Sequence, residues 1–429
     1  MDQSTTAQQR PERTLHVVID EVDELDFAQN YNLRPEPFGK NREPTVIYNT
    51  SFLAAVDKHI VSLQRASRIY VICSGSLSRH TKYLEQLTNT LGERCIGVRT
   101  GMKSHTKWSE IVEIAREVKT LQADMIITLG GGSLTDGAKI VAFAVANEAM
   151  DIDSLRTLTR DYQETTTVKC ESPAIPIVAI PTTLSGAEYS PSAGGTDDVS
   201  CHKASFLCRA PSLVFLDPKL SVKVPLSSWL SSGIRAVDHC VETMCNPSSP
   251  PKNLKDAAKG LTLLVRGLYR SKSDENDLEA RLLCQIGGVY AMRAIKGVTL
   301  GASHGIGHQL GPFGVGHGNT SCVLLPAVCL YNLPVNRDEQ EVVKETLFSN
   351  LQIRAILHSR GLSTADTLGG ILDALLRDLE MPRSLHDVGF QEENLHKLVA
   401  NCLKDKWCRG NPRPLTTAEQ VLDLLQAVL

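Results

Sequence analysis

Residues 124–140 read Asp124-Met125-Ile126-Ile127-Thr128-Leu129-Gly130-Gly131-Gly132-Ser133-Leu134-Thr135-Asp136-Gly137-Ala138-Lys139-Ile140, and they decide the fold. Residues 124–129 are apolar almost throughout, the pattern of a strand whose sheet is covered on both faces. Three glycines follow at once, and a helical pattern over residues 136–146 opens behind them. Glycine lets a backbone approach a ligand closely with its N–H groups bare, and the positive end of the helix lies just beyond. Such a turn suits a pyrophosphate, although a plain strand-to-helix turn with no ligand has the same composition. It is neither the GxGxxG fingerprint nor the GxxxxGK[ST] phosphate loop.

Upstream of this turn, short apolar runs alternate with helical periodicity. Strands are predicted at residues 45–48, 68–73 and 95–98, the second ending at Ser74-Gly75, and helices at 52–63, 84–91 and 108–121. Downstream come a strand at 175–180, a turn-rich stretch at 185–200 and a strand at 213–216 stopped by Asp217-Pro218. Beyond it long amphipathic stretches take over, at 255–269, 279–295, 341–358 and 417–429. The expected fold is an α/β N-terminal Rossmann-like domain with a parallel sheet plus an all-α C-terminal domain. The expected divisions are a polar extension over 1–40, a dinucleotide-binding domain over 41–217 and a helical catalytic domain over 218–429.

Composition narrows the function classes. The 429 residues are 42% hydrophobic and 22% charged with a net charge of −3, so nothing invites nucleic acid or an anionic membrane surface. The 12 cysteines sit singly with no CxxC pair, which points to reduced thiols. The polar N-terminus carries no apolar signal core, and the longest apolar run, residues 140–146, is far short of a membrane span. A cytoplasmic enzyme acting on a small molecule, and a homodimer, are expected.

The run GGGSLTDGAKI resembles the GGGSxxDxxK signature of the dehydroquinate synthase-like superfamily, which includes iron-containing alcohol dehydrogenases, glycerol dehydrogenases and maleylacetate reductases. The resemblance implies a pyrophosphate on Gly130, Gly131, Gly132 and Ser133, with Asp136 and Lys139 nearby at the domain cleft. A simple first-turn ion pair between those two is compatible with that. Residues 179–188, AIPTTLSGAE, resemble the family's PTT loop in the shorter spacing seen in maleylacetate reductases. That implies Thr182, Thr183 and Ser185 on the nicotinamide side of the cofactor, with Lys203 at a position where the family has a cofactor-facing lysine. By itself Thr-Thr after a strand also serves as a cap and turn. At the adenosine end, Ser74 and Gly75 stand where many NAD-specific relatives carry an aspartate. The cofactor is therefore expected to be NAD(H) or NADP(H), with Arg79 or Lys82 as partners for a 2′-phosphate.

The second half carries three further segments. Residues 233–242, GIRAVDHCVE, resemble the family's GxDAxxHxxE helix, and residues 303–311, SHGIGHQLG, its HxxxHxLG segment. Gly316-His317-Gly318 resembles the downstream HG, with a loop from His308 one residue shorter than usual. In metal-dependent members one aspartate and three histidines from these segments bind iron or zinc. The matching positions are Arg235, His239, His304 and His317. Three imidazoles would suit a divalent ion, but a guanidinium has no lone pair and repels one. The metal is therefore expected to be absent. Arg235 is then expected to take over its electrostatic role, unless it turns away into a salt bridge with Asp238 or Glu242. His239, His304, His308 and His317 are the candidate proton carriers. His304 is not followed by a glutamate, which excludes the HExxH zinc motif. The reaction implied is reduction of a carbonyl or conjugated enone, in a maleylacetate-like or keto-acid substrate. Two alternatives stay open: a metal-dependent alcohol dehydrogenase using His239, His304 and His317, and a non-redox lyase, cyclase or isomerase that kept the fold.

Overall fold

The computed structural model describes residues 44–103, 106–166, 169–200 and 202–429; the extension read over residues 1–40 lies outside these. Eight strands are described: β1 (Thr45–Tyr48), β2 (Ile69–Cys73), β3 (Cys95–Thr100), β4 (Met125–Gly130), β5 (Ile177–Pro181), β6 (Ser192–Thr196), β7 (Lys203–Leu207) and β8 (Leu213–Leu216). Six of them form one parallel sheet in the order β1-β8-β5-β4-β2-β3.

The continuous apolar runs follow from burial on both faces. In β2, Ile69, Val71 and Cys73 pack with Phe52, Leu77 and Leu87 on one face. Tyr70 and Ile72 pack with Ile111, Ile114 and Ile140 on the other. Each such side chain contributes about 1.5–3 kcal/mol on burial, and the usual period-two signal disappears because neither face is wet. The helices after β2 (Gly75–His80 and Tyr83–Leu91) cover the first face, whereas those after β3 and β4 (Trp108–Thr120 and Gly132–Ala146) cover the second. Neighbouring strands β2 and β4 thus send their chains to opposite faces. That opens a crevice at their carboxyl ends, the usual ligand position in open α/β sheets.

Four local expectations are corrected. The helix expected over 52–63 is a short α-helix, Phe52–Val56, continued by a wider π turn, Asp57–Val61. The helix expected from 136 starts at Gly132, inside the glycine turn itself. The turn-rich stretch at 185–200 contains β6, which pairs antiparallel with β7 from Thr196↔Lys203 to Ser192↔Leu207. Its small and glycine residues hid the strand period. The helix expected over 341–358 is two, Arg337–Ser349 and Leu351–Ser359, because Asn350 leaves the helix and caps the N–H groups of Gln352 and Ile353.

After β8 the described chain is helical. Leu226–Met244 runs through the middle, buried almost all round from Gly233 onward, and packs against Pro251–Ser273, Leu278–Ala294 and His317–Asn332. The described cysteines are free thiols. No helix among the described residues is long and apolar enough to cross a membrane.

Candidate active site

The glycine turn sits at the crevice between β2 and β4. The sheet ladder continues past the strand ends, with Ser74 N–H donating to Leu129 O at 2.8 Å and Thr182 N–H to Gly130 O at 3.1 Å. Ser74, the glycines and the Thr182-Thr183 turn are thereby set side by side. A Cβ on Gly130 would lie 2.9 Å from Ser74 Cβ, and one on Gly132 would lie 2.3 Å from Ser185 Oγ, so glycine is required for this approach. Ser185 Oγ is buried against the turn and has no hydrogen-bond partner among the described residues. The first N–H groups of the helix Gly132–Ala146 lack internal acceptors, as at any helix start. Bare N–H groups, an unspent hydroxyl and the positive end of a long helix fit a pyrophosphate.

Asp136 and Lys139 lie behind this cradle. Lys139 is fully buried, forms an ion pair with Asp136 Oδ1 at 2.8 Å, and donates to Ala187 O, Ser190 O and Ser192 O at 2.8, 3.1 and 2.5 Å. An ammonium has three protons, and these carbonyls use all of them. Lys139 therefore clamps the segment after Ser185, while Asp136 Oδ2 accepts from Gly194 N–H at 3.2 Å on β6. Glu188 is buried beside this pair, and burial pushes its carboxyl up to about 7 against the pull of Lys139.

The histidines form a row. Ring centroids step 4.7 Å from His239 to His304, 6.5 Å to His308 and 6.2 Å to His317. His304 and His308 share one helix, Ala302–Leu310, which holds despite its glycines because those glycines permit close packing. A Cβ on Gly305 would lie 2.6 Å from Cys408 Sγ, and one on Gly307 would lie 2.8 Å from Thr320 Oγ1. Burial drives the pKa values of His239, His304 and His308 well below the ordinary histidine range, and the nearby Arg235 lowers each further. Trp407 walls the row, its ring 4.6 Å from His308 and 6.0 Å from His304.

Two cations reach this row from opposite halves. Arg235, one helical turn before His239, is buried; its Nη1 donates to Ser321 Oγ at 3.1 Å and lies 3.6 Å from Asp238 Oδ2. Lys203, on the hairpin strand β7, places its ammonium 2.5 Å from His317 Nε2, and burial pulls its pKa down to about 8. Beneath Arg235 sits a buried acidic pair. Asp238 Oδ2 accepts from Ser303 and Ser321 hydroxyls at 2.9 and 2.5 Å, and Glu242 accepts from Gly301 N–H, Ser303 N–H and His304 Nδ1. Burial holds both carboxyls above their ordinary range. Glu242 thus fixes His304 with its proton on Nδ1, and Nε2 is left buried without a partner among the described residues.

The geometry does not fit a metal on the three histidines. His239, His304 and His317 do not bring one nitrogen each within 4.8 Å of one another; among the described residues that closeness is reached by Asp238, Glu242 and His304. In that trio Glu242 Oε2 and His304 Nδ1 are 2.8 Å apart, a hydrogen-bond distance. Two donors on one tetrahedral zinc at 2.0–2.2 Å each stand roughly 3.3–3.5 Å apart. As the trio stands, Glu242 and His304 share a hydrogen bond and the Arg235 guanidinium lies 3.6 Å from Asp238 Oδ2.

Two family models cover the chain: iron-containing alcohol dehydrogenase over residues 44–218, and the C-terminal domain of the Fe-containing alcohol dehydrogenase family over residues 229–429. The chain belongs to the iron-containing alcohol dehydrogenase family. It is an oxidoreductase, similar along most of its length to dehydrogenase FUM7 of Gibberella moniliformis, with 37% identity over 398 residues, 87% of this chain and 93% of that one. Among solved structures it shares the fold of NADH-dependent butanol dehydrogenase A from Thermotoga maritima (TM-score 0.74, 20% identity, 92% of this chain and 98% of the other). Maleylacetate reductase from Rhizobium sp. strain MTP-10005 shares it too (TM-score 0.70, 23% identity, again 92% and 98%).

The alternative reading of Arg235, a salt bridge with Asp238 or Glu242, is met at Asp238, whose Oδ2 stands 3.6 Å from Arg235 Nη1. The i+3 and i+7 spacing puts both carboxylates on one face with it, whereas their contacts with Ser303, Ser321 and His304 were missed in the sequence. Trp407 and Ser321 carry no local signal, since they reach the site only through the packing of distant segments; Glu188 closes the quoted residues 179–188, three positions after Ser185.

Proposed function

We propose that this enzyme is a metal-independent, nicotinamide-dependent reductase of an acidic carbonyl or conjugated enone, of maleylacetate or keto-acid type. The observation that carries the reading is the pair of cations, Arg235 and Lys203, at the histidine row where the family's metal chemistry would stand. Bound NAD(P)H supplies the hydride. The N–H groups of Gly131, Gly132 and Ser133 and the hydroxyls of Thr182, Thr183 and Ser185 hold the nucleotide across the crevice. Arg235 and Lys203 hold a substrate carboxylate or stabilise the oxyanion that forms, as fixed positive charges in a buried site do. Lys203, its ammonium within hydrogen-bond distance of His317 Nε2, is the group that holds a proton at this end of the row. The more buried His304 and His308 stay neutral. Trp407 and the packed glycine helix exclude water from them. The neighbour named as a maleylacetate reductase supports the substrate class.

A second reading has one observation in its favour. Asp238, Glu242 and His304 are close enough to hold a divalent ion after modest rearrangement, as a metal-dependent dehydrogenase would need. Titrating the fluorescence of NADH and of NADPH with metal-stripped, folded protein separates the two. Saturable binding, followed by cofactor oxidation on adding keto acids and unaltered by zinc or iron, is the expected result. Binding or turnover that appears only with added metal would transfer the case to the second reading, and no binding under either condition would end both.

A further inference from the structure

The turn after β2 bears directly on which nicotinamide cofactor enters. A dinucleotide whose pyrophosphate rests on Gly130–Gly132 extends its adenosine ribose along the crevice toward the neighbouring strand end, which here is Ser74-Gly75. A carboxylate in that position accepts hydrogen bonds from the ribose hydroxyls and repels a 2′-phosphate. From Ser74 to Lys82 the chain has no aspartate or glutamate, and the adjoining end of β3, Thr100 to Lys103, has none either.

What the turn has instead is a cation folded back over it. A Cβ on Gly75 would lie 3.1 Å from Arg79 Nη1 and 3.7 Å from Arg79 Cζ, so the guanidinium lies against the Gly75 backbone. The same Cβ would be 3.4 Å from Gly101 Cα, which shows how closely the ends of β2 and β3 approach beneath the arginine. Arg79 has no hydrogen bond or ion pair among the described residues, and it is exposed to solvent. Arg99, on the adjoining strand, is spent on Glu113 at 2.9 Å, and Lys82 lies further along the chain, at the start of the next helix. An unspent planar guanidinium, with five donors and no carboxylate beside it, matches a phosphate dianion.

We infer that Arg79 makes the adenosine end of the crevice a 2′-phosphate site, so that this chain takes NADPH in preference to NADH. The inference rests on the nicotinamide reading above. It sets this chain apart from the neighbour whose name specifies NADH.

The test measures dissociation constants for both cofactors by fluorescence titration on the full chain, wild type, Arg79→Gln and Gly75→Asp, with thermal midpoints as the folding control. Wild type should bind NADPH about tenfold or more tightly than NADH, the range set by charge-assisted bonds to a phosphate. Arg79→Gln should erase that margin while NADH affinity stays within about twofold, and raising salt from about 50 to about 500 mM should narrow it. Gly75→Asp needs only a shift of the flexible Arg79 tip, and it should turn the preference toward NADH. NADH bound as tightly as NADPH by wild type, or a preference that survives Arg79→Gln, overturns the inference and leaves the nicotinamide reading intact. Failure of folded wild type to bind either cofactor overturns both.

Discussion

Methionine at position 235 keeps most of the arginine's apolar volume and removes its charge and donors. In the native protein that charge lies 3.6 Å from Asp238 Oδ2, with Glu242 one turn further along the same helix and both carboxyls buried. Burial raises both, and Arg235 opposes the rise. The sign of the pH effect follows. A carboxyl whose native pKa lies above its unfolded value of about 4 binds more protons when folded, so stability falls as pH climbs through that interval. Removing Arg235 lifts the native pKa further and prolongs the fall. In mildly acidic solution, where the native pair is protonated in both proteins, Arg235→Met should cost little, and it even removes an unpaired buried cation. Above neutrality the wild type ionises beside its guanidinium and the variant does not, a difference of about 1.4 kcal/mol per pH unit for one group. Two pH units give roughly 2–3 kcal/mol, or a thermal midpoint lower by about 2–3 °C in a protein of this size. Thermal unfolding followed at about pH 6 and about pH 9 measures it, with Arg235→Lys as the charge-retaining comparison. Equal midpoint differences at both pH values would show that Arg235 is not the counter-charge of this pair.

Gly132→Ala brings a methyl to 2.3 Å from Ser185 Oγ, an overpacking that costs about 1–3 kcal/mol, and should lower the thermal midpoint slightly while weakening nucleotide binding about tenfold or more, as thermal unfolding and cofactor titration would show. Lys139→Met strips the donor from three backbone carbonyls, for about 3 kcal/mol after relaxation, and amide hydrogen exchange should rise selectively over residues 187–192. His308 should remain neutral at about pH 6, because burial, Arg235 and Lys203 all lower it. An imidazole NMR titration with a midpoint near the ordinary histidine value would contradict that placement.

Much of this enzyme could be read from its residues alone, because much of it is periodic or local. The parallel sheet showed in unbroken apolar runs such as Ile126-Ile127, which only a doubly covered strand tolerates. The close backbone approach at the crevice showed in Gly130–Gly132, since the need for bare backbone is written in the residue type itself. The histidine segments and the misfit of Arg235 were legible too, because one helix turn sets Arg235 and His239 on a common face and a guanidinium cannot ligate. What the tertiary structure alone decided depends on contacts between segments far apart in the chain. Lys203 reaches His317 across 114 positions because an inconspicuous glycine-rich hairpin carries it there. Lys139 turned out to be a clamp, its protons taken by carbonyls some 50 residues away that no spacing rule connects to it. Asp238 and Glu242 became buried partners of Arg235 and His304 only when the Ala302–Leu310 helix packed over them. Burial sets the charge of such groups, and burial is a property of the assembled core that no single stretch of sequence contains.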